Sequence, residues 1–332
     1  MRKLILYCCC FLFLGKLSAQ DPHYSQFFSS PLTLNPANIG KFDGILRVAA
    51  NYKSQWAVIE RAFETKTVSA DFHILSKNIP SEDTWGVGLM GYTDRSTGGA
   101  VSLNSASIGT AFHKGLDEDG TSQLGAGFQI CYSNMLINTA NLHFEDQLTS
   151  SGFTNVTSEI FSGATLSSRY FDINAGLLYS GSSSDNNYYY IGASAYHINR
   201  PKQQFTGGLY LVEPRLTINS GGFFGLGELA KLHISGLFST QASSSEALVG
   251  GSFERTIDAQ ANTSIYAGGW VRFGDAIIPY LGLEIGDLRI GATYDINTSS
   301  LRAGSNMRGG MELSIIYQRR QSDAKTIKCP KF

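Results

Sequence analysis

Charge is scarce in this chain. Asp, Glu, Lys and Arg make up 16% of its 332 residues, against about 25% in ordinary soluble domains. The net charge is −1 and no basic block occurs, which excludes the electrostatic footprint of a nucleic-acid binder. Cysteine is scarcer: there are five, and Cys8, Cys9 and Cys10 fall in a leader-like start. The two that remain, Cys131 and Cys329, are not the disulfide framework of a small secreted domain. After the leader no apolar run reaches the ~18 residues of a membrane-spanning helix. Catalytic and metal constellations are missing too. His23, His73, His113, His143, His197 and His233 are scattered without zinc-ligand spacing, and neither H-E-x-x-H nor a G-x-S-x-G elbow occurs. No enzyme activity, cofactor or metal is expected.

Glycine and aromatics are abundant instead: 36 glycines, and 12% Phe, Trp and Tyr. At the start, Arg2 and Lys3 precede an apolar core, Leu4 to Gly15, and Leu17-Ser18-Ala19 offers a small-residue cleavage site before Gln20. The expectation is a signal peptide over 1–19 and an exported mature chain.

Beyond residue 43, apolar residues alternate with polar or small ones in segments of about ten residues, the spacing of tilted membrane strands. Leu46, Val48, Ala50 and Tyr52 share one face, with Arg47, Asn51 and Lys53 on the other. Leu124, Ala126, Phe128, Ile130 and Tyr132 oppose Gln123, Gly125, Gln129 and Ser133. Alternation also suits a soluble sandwich with its apolar face inward. The leader and the uneven connections favour an all-β transmembrane antiparallel barrel of about 14 strands over 44–318. The strands are expected near 44–53, 65–74, 84–94, 101–113, 121–134, 168–180, 188–198, 213–224, 231–240, 246–257, 262–273, 275–285, 287–297 and 308–318. An even count puts both ends of the barrel on one side. That side is periplasmic in such barrels, with short turns there and longer loops, above all 135–167, outside. The expected location is the cell outer membrane, with lipid against the apolar face and both termini periplasmic.

Three features stand out within this frame. Gly86-Val87-Gly88-Leu89-Met90-Gly91 matches G-x-G-x-x-G, but it lies inside a strand pattern, where glycine marks a bend or a close backbone approach. Lumen-facing charges (Arg47, Asp71, Glu254, Arg272, Glu284, Arg289, Asp295, Glu312) form a network that stiffens the wall or filters solutes. His73 beside Asp71 reads as a polar lumen pair. Cys131 in a strand and Cys329 in the tail 319–332 are separated by an apolar band about 25 Å tall, so no bridge between them is expected. Cys329 is open to a partner.

The stretch from Gln20 to Gly40 is neither strand-like nor helix-like. Pro22, Pro31 and Pro36 stiffen it and remove donors, while Tyr24, Phe27, Phe28, Leu32 and Leu34 supply anchors. Such a segment suits docking better than spanning; a loosely ordered lead-in is the alternative.

Gln20-Asp21-Pro22-His23-Tyr24-Ser25-Gln26-Phe27 and Leu34-Asn35-Pro36-Ala37, following a leader, resemble the start of the PorP/SprF family, outer-membrane barrels of the type IX secretion and gliding machinery. The runs Gly274-Asp275-Ala276-Ile277-Ile278-Pro279-Tyr280, Tyr294-Asp295-Ile296-Asn297 and Arg308-Gly309-Gly310-Met311-Glu312 look similar to that family. So does the ending Cys329-Pro330-Lys331-Phe332, where Lys331 departs from the arginine expected. The resemblance implies a fourteen-stranded barrel that assists secretion or surface attachment of adhesin or gliding-type cargo, without catalysis. Implied partners are periplasmic and outer-membrane type IX components and cargo bearing C-terminal secretion signals. Asn35-Pro36-Ala37 also resembles a motif in the N-terminal hatch of FadL-type transporters, so 20–43 is expected to fold into or under the periplasmic mouth. The alternative function is FadL-like passage of a hydrophobic or small solute. The residues implied in partner binding or plugging are Asp21, Pro22, His23, Tyr24, Phe27, Phe28, Asn35, Pro36, Cys329, Pro330 and Phe332.

Overall fold

The computed structural model describes residues 21, 23–57, 63–154, 156–161, 163–184, 186–205, 208–300 and 302–320. The expected signal peptide and the end of the tail, with Cys329, Pro330 and Phe332, lie outside the described residues, as does Pro22.

Period-two alternation produces strands in chain order: β1 Leu46–Gln55, β2 Phe63–His73, β3 Thr84–Ser96, β4 Val101–Gly115, β5 Ser122–Asn138, β6 Leu148–Thr149, β7 Gly152–Phe153, β8 Thr165–Ser184 and β9 Asn187–Tyr196. Then follow β10 Lys202–Phe205, β11 Gly208–Leu211, β12 Arg215–Gly225, β13 Ala230–Gln241, β14 Ser244–Asp258, β15 Thr263–Arg272, β16 Ala276–Ile285, β17 Leu288–Asn297 and β18 Arg308–Arg319. All but the small hairpins β6-β7 and β10-β11 join one closed barrel of fourteen antiparallel strands. Closure is made by β1 on β18, in a continuous register from Leu46↔Arg319 to Gln55↔Gly310. Every expected strand is present. The extra hairpins arise within the two longest connections, where a loop that long folds back on itself.

The barrel is apolar outside and polar inside. Val68, Ile108 and Leu281 are 58%, 56% and 67% exposed on the outward face. Arg47, Asp71 and Glu312 are 3%, 1% and 1% exposed on the inward face. Such a surface is stable against hydrocarbon, and closure leaves no edge strand with unpaired amides in it. Among the described residues no helix is long and apolar enough to cross a membrane.

β1 begins and β18 ends at the same end of the barrel, here called the near end. Its connections run from two residues, as at 286–287, to ten at 74–83. The far end carries the long ones, 139–164 and 197–214.

Candidate functional site: the segment inside the barrel

Asp21 and residues 23–43 lie in the lumen. The prolines shape them locally. Pro31 opens the helical turn Pro31–Leu34 and Pro36 opens Pro36–Asn38, first positions where a missing N–H costs nothing. The Asn35 side chain accepts from the Ala37 N–H at 2.8 Å, an N-cap in the usual geometry. The segment is therefore a string of single helical turns, which short apolar spacing broken by prolines did not reveal.

The path runs from far end to near end. At the far end, the Asp21 carboxylate meets His197 Nε2 at 2.7 Å, while the Asp21 N–H donates to Gln241 Oε1 at 2.6 Å. Arg215 stands 3.6 Å from the same carboxylate. The other ring nitrogen of His197 faces Asp172 at 2.8 Å. Burial alone would lower the His197 pKa, but the carboxylates of Asp21 and Asp172 outweigh it and raise it to about 9. His23 follows, 3.1 Å from Glu246, and the Tyr24 hydroxyl donates to Thr67 at 3.3 Å.

Glu312 is the next grip. It accepts the Ser25 and Gln26 amides at 2.6 and 2.8 Å and pairs with Lys53 at 3.1 Å. Ser25 Oγ donates to Asp295 at 2.8 Å, and Arg272 holds that carboxylate at 2.8 Å. Phe27 and Phe28 then enter an aromatic cluster. Phe28 stacks on Trp270 with centroids 4.6 Å apart and meets Tyr280 edge-on at 5.5 Å.

Further along, Tyr196 and Ser194 donate to the Leu32 and Leu34 carbonyls, each at 2.9 Å. Asn35 Nδ2 reaches the wall carbonyls of Leu177 and Ala193 at 3.1 and 3.3 Å. Arg47 donates to the Asn38 carbonyl at 2.8 Å and pairs with Asp71, which accepts the Gly40 N–H at 2.8 Å. His113 and His73 contact the Ile39 and Gly40 carbonyls at 3.0 and 2.7 Å; a carbonyl only accepts, so each Nε2 carries a proton. Phe42 stacks on His73 at 4.7 Å, and the chain then enters β1.

Inward glycines make room for this segment. A Cβ on Gly86 would lie 2.6 Å from the Gly40 Cα, and Gly40 itself turns at φ +71°. Gly88 and Gly109 lie under Ile39, Gly127 under Pro36 and Ala37, and Gly176 under Asn35. The G-x-G-x-x-G run is thus a place of close backbone approach at Gly86 and Gly88, while Gly91 faces outward. The inward glycines of β4, β5 and β8 carry a signal that sequence reading passed over: glycine repeatedly in the polar register of a strand.

Of the residues singled out in the sequence, Asp21, His23, Tyr24, Phe27, Phe28, Asn35 and Pro36 come together in the lumen. Three expectations change. Asp21 stands at the far end, opposite Gly44 and Arg319, rather than in or under the near mouth, so the first and last described residues do not share an end. The strand count fixes only where β1 starts; a segment ahead of it is free to run the length of a wide lumen. The wall charges also do more than stiffen the wall, since Arg47, Asp71, Arg272, Asp295 and Glu312 hold the segment. His73 and Asp71 do not pair but bind Gly40 from two sides. Glu254 pairs with His233, and Glu284 with Arg289 and Arg320.

Between segment and wall lie small cavities of about 40, 30 and 70 Å³, each with room for water. Phe28, Tyr190, Phe223, Tyr266, Trp270 and Tyr280 line the first of them.

The family model described as type IX secretion system membrane protein PorP/SprF matches residues 16–317. Compared with curated protein sequences, the chain finds no match. Among solved structures, it resembles the toluene transporter TbuX of Ralstonia pickettii at 9% identity and TM-score 0.51, over 88% of this chain and 93% of that one. A Pseudomonas aeruginosa FadL homologue aligns at 10% identity and TM-score 0.48, over 86% and 92%. At such identity the TbuX likeness is one of fold.

Proposed function

This chain belongs to the PorP/SprF family of type IX secretion system membrane proteins, and from that premise we propose that it is a platform that assists secretion or surface attachment of partner proteins. Its near end meets periplasmic and outer-membrane components of the machinery. Its far-end loops meet cargo bearing C-terminal secretion signals. The observation that supports this most is the occupied lumen: Asp21 and residues 23–43 fill the barrel, gripped by buried charges. A filled barrel offers surfaces before it offers a passage. On this reading the segment acts as a plug.

The test compares surface and secreted proteomes with and without the gene. Loss of one or a few large proteins is expected for a dedicated partner, and loss of many for a general component. An unchanged proteome overturns the proposal. The aromatic cavity beside Phe28 favours a second reading, passage of a small hydrophobic solute once the segment moves. Uptake that depends on the gene, with an unchanged proteome, would support that reading instead.

A further inference from the structure

The outward face of β2 to β8 carries a feature that the lumen does not explain. Ladder pairing aligns outward residues into rows across the wall. One row reads Lys66, Thr93, Asn104, Asn134 and Arg169. The row below it, toward the near end, reads Val68, Gly91, Ala106, Tyr132 and Phe171. The row above includes Glu64, Arg95 and Ser102. Leu136, which follows Ser102 in that upper row, is its one apolar member; elsewhere the boundary between apolar band and polar rim crosses this wall in a single step.

At that step the wall is hollow. A cavity of about 480 Å³ opens outward, lined by Lys66, Val68, Gly91, Thr93, Ala106 and Tyr132 among others. It exists because two small residues, Gly91 and Ala106, sit between Val68 and Tyr132; a Cβ on Gly91 would meet nothing within 4 Å. It is a groove open along the outward face rather than an enclosed pocket. Cations stand around it. Lys66 is at its edge, Arg95 is diagonal to Lys66, and Arg169 closes the row roughly 19 Å away, four strand spacings along the sheet. One anion, Glu64, pairs with Lys66 at 3.0 Å. On the other wall, outward positions at the far end of β12 to β16 are Leu216, Thr240, Ser245, Val271 and Ile277, without charge.

We propose that this hollow and its basic rim bind one phosphorylated saccharolipid of the outer leaflet. An acyl chain lies over Gly91 and Ala106, and anionic headgroup oxygens meet Lys66, Arg95 and Arg169. The apolar floor lies on the hydrocarbon side and the cations on the headgroup side, the order in which such a lipid presents its parts. The proposal takes the long-loop end as the outer one and is independent of which proteins the barrel serves.

The full-length protein, purified in detergent, is offered bis-phosphorylated lipid A, its dephosphorylated form or phosphatidylglycerol, and retention is read by native mass spectrometry. Phosphorylated lipid A should be retained best. Replacing both Lys66 and Arg95 by Ala should weaken it about twenty-five-fold, taking roughly five-fold per cation, and leave the dephosphorylated form unchanged. Gly91→Leu, which fills the hollow on a lipid-facing position, should weaken both forms. Glu64→Ala removes the competing carboxylate and should tighten the phosphorylated form, so the proposal stays testable should a weakening variant misfold. Equal retention of all three lipids, preference for phosphatidylglycerol, or variants that match the native protein would overturn it.

Discussion

Single side chains decide how tightly the lumen is closed. Glu312 accepts from two amides of the segment and from Lys53, and it is 1% exposed. Glu312→Ala leaves a buried cation and two amides short of an acceptor, a change of about 3–5 kcal/mol when such a pair is broken. The wall ladder does not use this side chain, so the loss falls on the segment. Amides of Ser25 and Gln26 should exchange faster in the variant; unchanged exchange would mean that Glu312 is not a grip. At the far end the hold depends on pH. His197 has its pKa raised to about 9 by the two facing carboxylates, above its unfolded value of about 6.5. A raised value means stability fully present below the unfolded pKa and lost as pH rises through the folded one. Exchange near Asp21, corrected for the intrinsic rate, should therefore increase between about pH 7 and pH 10, and His197→Asn should remove that step. Neither role was legible in the sequence. Glu312 and His197 lie 287 and 176 residues from their partners Ser25 and Asp21, and only closure of the barrel brings them together.

At the scale of elements, wall and lumenal segment are separable. The fourteen strands pair only with one another, while the segment binds inward side chains and, through Asn35, the carbonyls of Leu177 and Ala193. Deleting 21–38 should leave a barrel that still folds and should convert a closed or nearly closed conductance in planar bilayers into a stable open one. An intact barrel whose conductance does not change would rule out a plug. The strands themselves were legible because alternation is a local property: Leu124 to Ser133 alternate in sequence and do so in space. The segment was legible only as stiff and aromatic. Its prolines announced breaks, and the turns between them take their shape from the glycine floor beneath.

The whole molecule is an inverted protein, apolar outside and polar inside, and its two ends differ. With long loops outward, an epitope inserted between Ser158 and Glu159 should be labelled on intact cells, and one between Gly286 and Asp287 should not. The reverse pattern would overturn the orientation and, with it, the lipid site. The sequence alone determined the number of strands, their faces and the near-end turns, because strand period and turn chemistry are written in neighbouring residues. The resemblance of both ends of the mature chain to one family was likewise readable without coordinates. Tertiary structure decided the rest. It carried Asp21 to the far end, turned wall charges into grips on the segment, and set Gly91 beside Ala106 over a hollow. Each of these depends on which strand becomes whose neighbour when the barrel closes, and register across a closed sheet is a property of the whole chain.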